Sequence, residues 1–468
     1  MYDMTASELI ALLTAGVFES WDAPVADGSI DAAYAESLHR ARERTGLDES
    51  VTTGVGTVGD QRTVLIVSEF GFLGGSIGAA SGSRIVAAIR RATAQRLPIL
   101  AAPASGGTRM QEGTPAFLQM VSISAAVAAH RAAGLPYLVY LRHPTTGGVF
   151  ASWGSMGQVT WAQPRAMLGF LGPRVYEGLR GQPFPGDVQT AENLLRHRLI
   201  DDVVAPEDLG HRLRSFLAHL VGQVKPVEPQ RVNDSHPPVA DAWAAVAATR
   251  SADRPGLSEL LASVPSETIT APGSLRLVLA DFSGFRALVV GQDRAAEAHG
   301  TQLLPADLAL AQRGIALAEE WNLPLVTVID TGGAALSVDA EQSGLAGRIA
   351  ACMSALLATS SPTVAVLMGQ GTGGGALALF PADWVIAADD AWLSPLPPEG
   401  ASLIMYRDTE HASELVGPQH IWSCDLRRLG VVDELVGPGG GLIPDVIAAV
   451  TRRLEGDHPA NPAKRIRL

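Results

Sequence analysis

Apolar positions fall into two rhythms along this chain. Short unbroken apolar runs, as at 97–101 and 135–141, alternate with longer stretches where apolar residues recur every three or four positions. Residues 6–15 and 32–44 predict two helices, the first with an apolar stripe and the second rich in charge. Residues 51–59 and 63–69, dominated by Val, Leu and Ile around a Gly-Asp turn, predict two strands. A glycine-rich stretch then leads into a helix over 83–95, with Ile85, Val86 and Ile89 on one face. A strand at 98–101, a loop at 102–114, a helix at 115–133, a strand at 136–141, a glycine turn and a helix opening near Val149 follow. Strands alternating with helices at this spacing predict an α/β crossover architecture.

The pattern changes after residue 203. Pro206, Pro226, Pro229, Pro237 and Pro238 surround one amphipathic helix near 209–221, which places a linker at 222–240 between domains 1–221 and 241–468. Strands near 275–281 and 285–291 then reopen the order of the first half. Leu97-Pro98, Gly106-Gly107, Leu135-Pro136 and Gly147-Gly148 return as Leu323-Pro324, Gly332-Gly333, Ser361-Pro362 and Gly373-Gly374, each 226 residues on (for example 324 − 98). Residues 162–174 face 388–400 at the same offset, and Leu199-Ile-Asp-Asp-Val-Val is answered by Val431-Val-Asp-Glu-Leu-Val at 232 (432 − 200). Register held this long predicts an internal duplication.

Composition narrows the function. A net charge of −13 with no long basic block argues against nucleic-acid or anionic-membrane surfaces, which need clustered Lys and Arg. Only Cys352 and Cys424 occur, so neither a disulfide framework nor a four-Cys zinc ribbon can be built, and no metal is expected. The opening residues lack the basic region and cleavage site of a signal peptide, and no apolar run reaches spanning length. A cytoplasmic location is expected.

Each half carries two Gly-Gly turns after short apolar strands, the later one opening a helix. Glycine leaves the main-chain N–H uncovered, and a helix start adds unpaired donors and a dipole that favours negative charge. Two N–H donors aimed at one carbonyl oxygen form an oxyanion hole that stabilises a thioester enolate. An isolated Gly-Gly is more often a packing point, but four in register point to chemistry. Gln370-Gly-Thr-Gly-Gly-Gly lacks the Lys that completes a phosphate loop. Glu112, Arg109, His143, Asp330 and Glu399 lie near the turns without forming a Ser-His-Asp group or a metal-ligand spacing. Arg109 with Glu112 reads as a structural ion pair and His143 as a main-chain partner, leaving a chemistry that brings its own base.

The wording of these loops is more specific than their glycine content. SGGTRMQEG (105–113), LPYLVYLRHPTTGGVFASWGSMG (135–157), AMLGFLGPRV (166–175) and LIDDVV resemble the β subunit of the bacterial acetyl-CoA carboxylase carboxyltransferase. Arg254-Pro255, LPLVTVIDTGGA (323–334), AEQSG (340–344), GGGALA (373–378) and PEGAS (398–402) resemble its α subunit. The chain therefore resembles a fused β–α carboxyltransferase over residues 50–440, similar to the single-chain ones of actinobacteria.

That resemblance implies two tandem crotonase-fold (ClpP/crotonase-like) ββα-superhelix domains, the first holding acyl-CoA and the second biotin. It implies carboxyl transfer from carboxybiotin, borne on a separate biotinylated carrier protein and charged by a biotin carboxylase, to the α-carbon of acyl-CoA, with acetyl-CoA giving malonyl-CoA. The ureido nitrogen takes the α-proton in this scheme, and the enolate attacks carbon dioxide. Gly106, Gly107, Thr108, Gly147 and Gly148 are thereby expected at the acyl-CoA thioester, and Gly332, Gly333, Ala334, Gly374 and Gly375 at the biotin ureido oxygen. A homodimer at least is implied. Departures are the missing zinc ribbon and Thr331-Gly332-Gly333 in place of Thr-Pro-Gly. Arg84, Arg165 and Arg174 are candidates for CoA phosphates. Rival readings are a malonyl-thioester decarboxylase of the same fold and a non-catalytic scaffold of a biotin carboxylase complex.

Overall fold

The computed structural model describes residues 4–25, 32–171, 173–222, 241–437, 441–456 and 458–466. Two units, Met1–Gly222 and Gln223–Leu468, each build a sheet of their own. The expected linker at 222–240 lies outside the described residues except for Gly222.

In the first unit the strands are β1 (Phe18–Ser20), β2 (Val51–Val58), β3 (Gln61–Ser68), β4 (Ile99–Ala102), β5 (Tyr137–Leu141), β6 (Thr145–Thr146), β7 (Val159–Ala162), β8 (Leu168–Gly169) and β9 (Asp202–Val203). The sheet runs β1-β2-β3-β4-β5-β7-β9, antiparallel to β3 and parallel beyond it, while β6 pairs with β8. A two-residue turn with Gly59 at φ 61° closes the β2–β3 hairpin. Buried parallel strands read as unbroken apolar runs because both faces are covered. Tyr137, Val139 and Leu141 share a core with Ile85 and Ile89 of the helix Ala79–Ala94 and with Ile123 and Val127 of Thr114–Ala132. Tyr140 Oη donates to Val204 O (2.9 Å), and Trp161 meets Phe216 of the helix Pro206–Leu220 edge-on at 5.6 Å.

The second unit contains β10 (Ser266–Thr270), β11 (Leu275–Phe282), β12 (Phe285–Gln292), β13 (Leu325–Thr331), β14 (Thr363–Thr372), β15 (Trp384–Ala388), β16 (Trp392–Ser394) and β17 (Glu434–Val436). Its order, β10-β11-β12-β13-β14-β15-β17 with β16 on the end of β14, repeats the first unit strand for strand. Ile99 stands beside Tyr137 and Leu325 beside Thr363, so the offset is 226 on both strands (325 − 99, 363 − 137). The expected match of 162 with 388 is one residue out. Val159 pairs Leu138 and Trp384 pairs Val364, which makes the offset 225 there (384 − 159), a single-residue deletion in the turn before β15. The offset of 232 at the closing strand holds (434 − 202).

The helix expected from residue 83 begins at Ala79, where Ser81 within it caps Gly78 and Glu112, far along the chain, takes its first N–H. Gly78 N–H donates to Ser81 Oγ (2.9 Å) and Ala79 N–H to Glu112 Oε2 (2.6 Å). The helix expected near Val149 is one turn, Gly147–Phe150. Among the described residues no helix is long and apolar enough to cross a membrane.

Candidate functional site

In the first unit, β4 delivers the chain into the loop 103–109, and β5 with β6 delivers it into the helix Gly147–Phe150. The loop is stitched to its surroundings by main-chain bonds. Ser105 N–H donates to Pro144 O (2.7 Å), Thr146 N–H to Ser105 O (2.9 Å), Ile77 N–H to Gly107 O (2.9 Å) and Arg109 N–H to Ile77 O (2.9 Å). These bonds bring the two Gly-Gly turns together. A Cβ on Gly107 would stand 3.6 Å from Gly148 N and 3.5 Å from Thr146 O, and φ of 112° at Gly107 and 61° at Gly147 suits glycine.

Not every glycine N–H is available. Gly106 N–H donates to Gly74 O (2.9 Å) and Gly107 N–H to Ser105 Oγ (3.0 Å). Among the described residues no acceptor stands at the N–H of Thr108 or of Gly148, the second residue of its helix. Among the described residues the N–H groups of Thr108, Gly147 and Gly148 are thus left without an acceptor, while those of Gly106 and Gly107 are taken up within the loop.

Arg109 anchors the loop from below. Its side chain is 1% exposed and pairs in a fork with Glu49, itself 3% exposed; Nη2 also donates to Ser76 O (2.8 Å). The expected contact with Glu112 exists at 3.4 Å but is the weaker one, since Glu112 also accepts from Tyr34 and caps the helix Ala79–Ala94. Burial alone would depress the Arg109 guanidinium, and the Glu49 carboxylate more than reverses this.

The second unit repeats the construction. Gly333 N–H donates to Thr331 Oγ1 (3.0 Å), the bond that Gly107 makes to Ser105, and φ is 124° at Gly333 and 61° at Gly373. The bridge between Leu303 and Ala334 matches that between Ile77 and Thr108 (303 − 77 and 334 − 108 are both 226). Among the described residues the N–H groups of Ala334 and Gly374 meet no acceptor, as at Thr108 and Gly148. Gly375 takes the place of Val149, and a Cβ there would come within 2.8 Å of Leu303 and 3.2 Å of Ala334 N. Its missing side chain lets the helix approach the loop.

One bond differs. Gly332 N–H, the counterpart of Gly106 N–H, donates to Glu297 Oε2 (3.1 Å), and Glu297 Oε1 accepts from Thr331 Oγ1 (2.8 Å). Burial pushes the Glu297 carboxyl up to about 7; the two donors pull it down, and Asp330 and Asp307 add to the rise. Neither Glu297 nor Glu49 is legible as a partner in the sequence, since no spacing rule links them to residues 34 and 60 positions away.

Of the remaining candidates, Arg84, His143, Asp330 and Glu399 are bonded to neighbouring groups. Arg84 is buried and forks onto Asp48 (3.0 and 2.9 Å) while donating to Val51 O and Ala23 O, so it has no donor to spare for a phosphate. Arg165 is exposed at φ 61°, and the Arg174 side chain lies outside the described residues. His143 Nδ1 accepts from Met167 N–H (3.0 Å). Asp330 is fully buried, accepts from Gln370 N–H (3.0 Å), and burial raises its carboxyl. Glu399 forks onto Arg250, whose hydrogen bonds hold its carboxyl low. Among the described residues no group of three or more His, Cys, Asp and Glu could hold a metal ion.

Two ββα units, each with paired N–H donors where two glycine turns meet, define a tandem crotonase-fold protein. The fold matches the transcarboxylase 12S crystal structure with methylmalonyl-coenzyme A and methylmalonic acid bound, at a TM-score of 0.80 and 19% identity over 98% of this chain and 91% of that one. The carboxyl transferase domain model matches residues 17–427, and the chain belongs to that family. It is 53% identical to the probable biotin-dependent acyl-coenzyme A carboxylase beta3 subunit of Mycobacterium tuberculosis (strain ATCC 25618 / H37Rv), over 91% of this chain and 87% of that protein. It is 39% identical to the acetyl-coenzyme A carboxylase carboxyl transferase subunits beta/alpha of Salinispora arenicola (strain CNS-205), over 86% of this chain and 76% of that protein.

Proposed function

We propose that the chain is the carboxyltransferase component of a biotin-dependent acyl-CoA carboxylase, carrying carboxylate from carboxybiotin on a separate carrier protein to the α-carbon of an acyl-CoA, with acetyl-CoA as the expected acceptor. The observation that carries this reading is the donor pair built twice, Thr108 with Gly148 and Ala334 with Gly374. The relatives' names supply the substrate classes, and the donor chemistry fits both of them. A thioester carbonyl and a ureido carbonyl are each neutral acceptors that two main-chain N–H groups can hold.

In the first unit the thioester oxygen sits between the N–H groups of Thr108 and Gly148. Loss of the α-proton moves negative charge onto that oxygen, and donors fixed by the loop's main-chain bonds meet it without reorganising. Each such donor is worth on the order of 10²-fold in rate. In the second unit Ala334 and Gly374 hold the ureido oxygen. Carboxybiotin, when bound, supplies both the carboxylate and the base, which accords with the bonds that engage Arg109, His143 and Glu399. The protein's remaining work is to bring the two substrates together. The reading makes the protein cytoplasmic and at least a homodimer.

The test combines the chain with a biotin carboxylase and a biotinylated carrier and follows labelled bicarbonate into acetyl-, propionyl- and longer acyl-CoA. Label in one or more acyl-CoA products is expected. No labelled product with any acceptor, from a chain whose melting shows it folded, refutes the reading.

A further inference from the structure

In the first unit Gly106 N–H is held by Gly74 O, a main-chain acceptor that cannot change its charge. The duplicated N–H, that of Gly332, is held by the carboxylate of Glu297, on the helix Arg294–Ala298. The same carboxylate takes the Thr331 hydroxyl, whose oxygen accepts from Gly333 N–H. Glu297 therefore fixes three consecutive residues, Thr331, Gly332 and Gly333, immediately before Ala334, whose N–H is a donor of the site. Gly332 is exposed and a Cβ on it meets nothing within 4 Å, so no packing holds the loop at that point.

We propose that Glu297 is a positioning residue of the second-unit site, setting the place of the Ala334 N–H by clamping Thr331 and Gly332. The inference rests on the reading of that site as the one for the biotin ureido group. Its charged surroundings are anionic on the facing elements, with Asp330 from β13 and Asp307 from the helix Pro305–Glu320. On its own helix Arg294 stands 3.7 Å from Asp330 Oδ2 and donates to Ser251 O, so its charge is directed elsewhere. The clamp needs a carboxylate, because a neutral acid accepts more weakly from an N–H and an O–H. With the carboxyl titrating near 7, the clamp is closed at pH 8 and weakened at pH 6.

The experiment measures carboxyl transfer by wild type, Glu297→Ala and Glu297→Gln between pH 6 and 8, varying biotinylated carrier and acyl-CoA in turn. Wild type should show a carrier KM that rises as the pH falls through 7. At pH 8 Glu297→Ala should raise the carrier KM about tenfold, the worth of one charge-assisted hydrogen bond. Its acyl-CoA KM should stay near that of wild type. Glu297→Gln, which keeps one acceptor oxygen, should fall between the two, and both variants should lose the dependence on pH. Unchanged carrier KM in both variants overturns the proposal, as does a parallel change in both KM values accompanied by a lowered melting temperature. Absence of transfer by wild type itself would refute the carboxyltransferase reading instead, so the two failures are told apart.

Discussion

Replacing Arg109 by Met tests how the first glycine loop is held. The guanidinium forks onto Glu49 and bonds Ser76 O, Ser50 Oγ and the Tyr34 hydroxyl, with both charged side chains nearly free of solvent. Met fills a similar volume but leaves the Glu49 carboxylate buried without its cation. Breaking a buried pair in this way costs about 3–5 kcal/mol, against about 0–1 kcal/mol for a surface pair. For a unit of this size each kcal/mol lowers the melting temperature by about 2–4 °C, so Arg109→Met should melt about 6–20 °C below wild type. Glu49→Met alone should also destabilise, by leaving Arg109 with only the 3.4 Å contact to Glu112 and its neutral partners. The double variant removes both charges, so it should be less destabilised than the sum of the singles by about 2 kcal/mol or more. Thermal and urea melts of the four proteins close this cycle. Single variants each costing under about 1 kcal/mol, with an additive double, would show that the fork is not what anchors the loop.

Three further outcomes are expected. A Cβ on Gly148 would lie 3.3 Å from Thr108 Oγ1 and 3.5 Å from Met120, so Gly148→Val should lower carboxyl transfer by about 10²-fold with acyl-CoA while leaving carrier binding intact, measured by initial rates and calorimetry. Gly332→Ala meets open space at an ordinary φ and should change rate by no more than about twofold, whereas Gly333→Ala at φ 124° should cost about 1–2 kcal/mol of stability; equal effects would contradict the loop geometry. His130 is buried and pushed down to about 4, chiefly by burial, while its Nε2 lies 3.2 Å from Pro136 O. The folded protein thus prefers the neutral ring, and stability present above pH 6.5 is lost as the pH falls toward 4, about 2 kcal/mol of it by pH 5; melts of His130→Gln should show a shallower slope over that range.

The parts of this fold legible in the sequence are those set by local pattern. The runs that became β4, β5, β13 and β14 are apolar on both faces, and the β2–β3 turn carries its own Gly-Asp signal. The helix Ala79–Ala94 starts early because Glu112, far along the chain, caps it. β1 and β10 were not expected; β1 is a three-residue edge strand whose side chains are largely exposed, so it carries no alternation to read. The one-residue drop before β15 is invisible to landmark matching and visible only in the ladder. For Arg109, sequence proximity pointed to Glu112, and the stronger partner proved to be Glu49, which only tertiary folding brings near.

The duplication explains why the glycine turns could be placed in the sequence and their roles could not. Glycine positions, strand registers and the hydroxyl at Ser105 or Thr331 are common to both units, so they define a donor pair without saying which carbonyl it serves. What differs is the segment leaning on the loop. In the first unit residues 73–78 close over Gly106 with a main-chain carbonyl, and Gly75 permits this, since a Cβ there would fall 1.9 Å from Ala104 O. In the second unit the helix Arg294–Ala298 reaches the same N–H with a side chain and leaves Gly332 exposed. A main-chain clasp holds one geometry at every pH, while a carboxylate clasp releases when protonated. Divergence of the two copies therefore lies in the supporting segments, and exchanging Glu297 should alter the second site without the first.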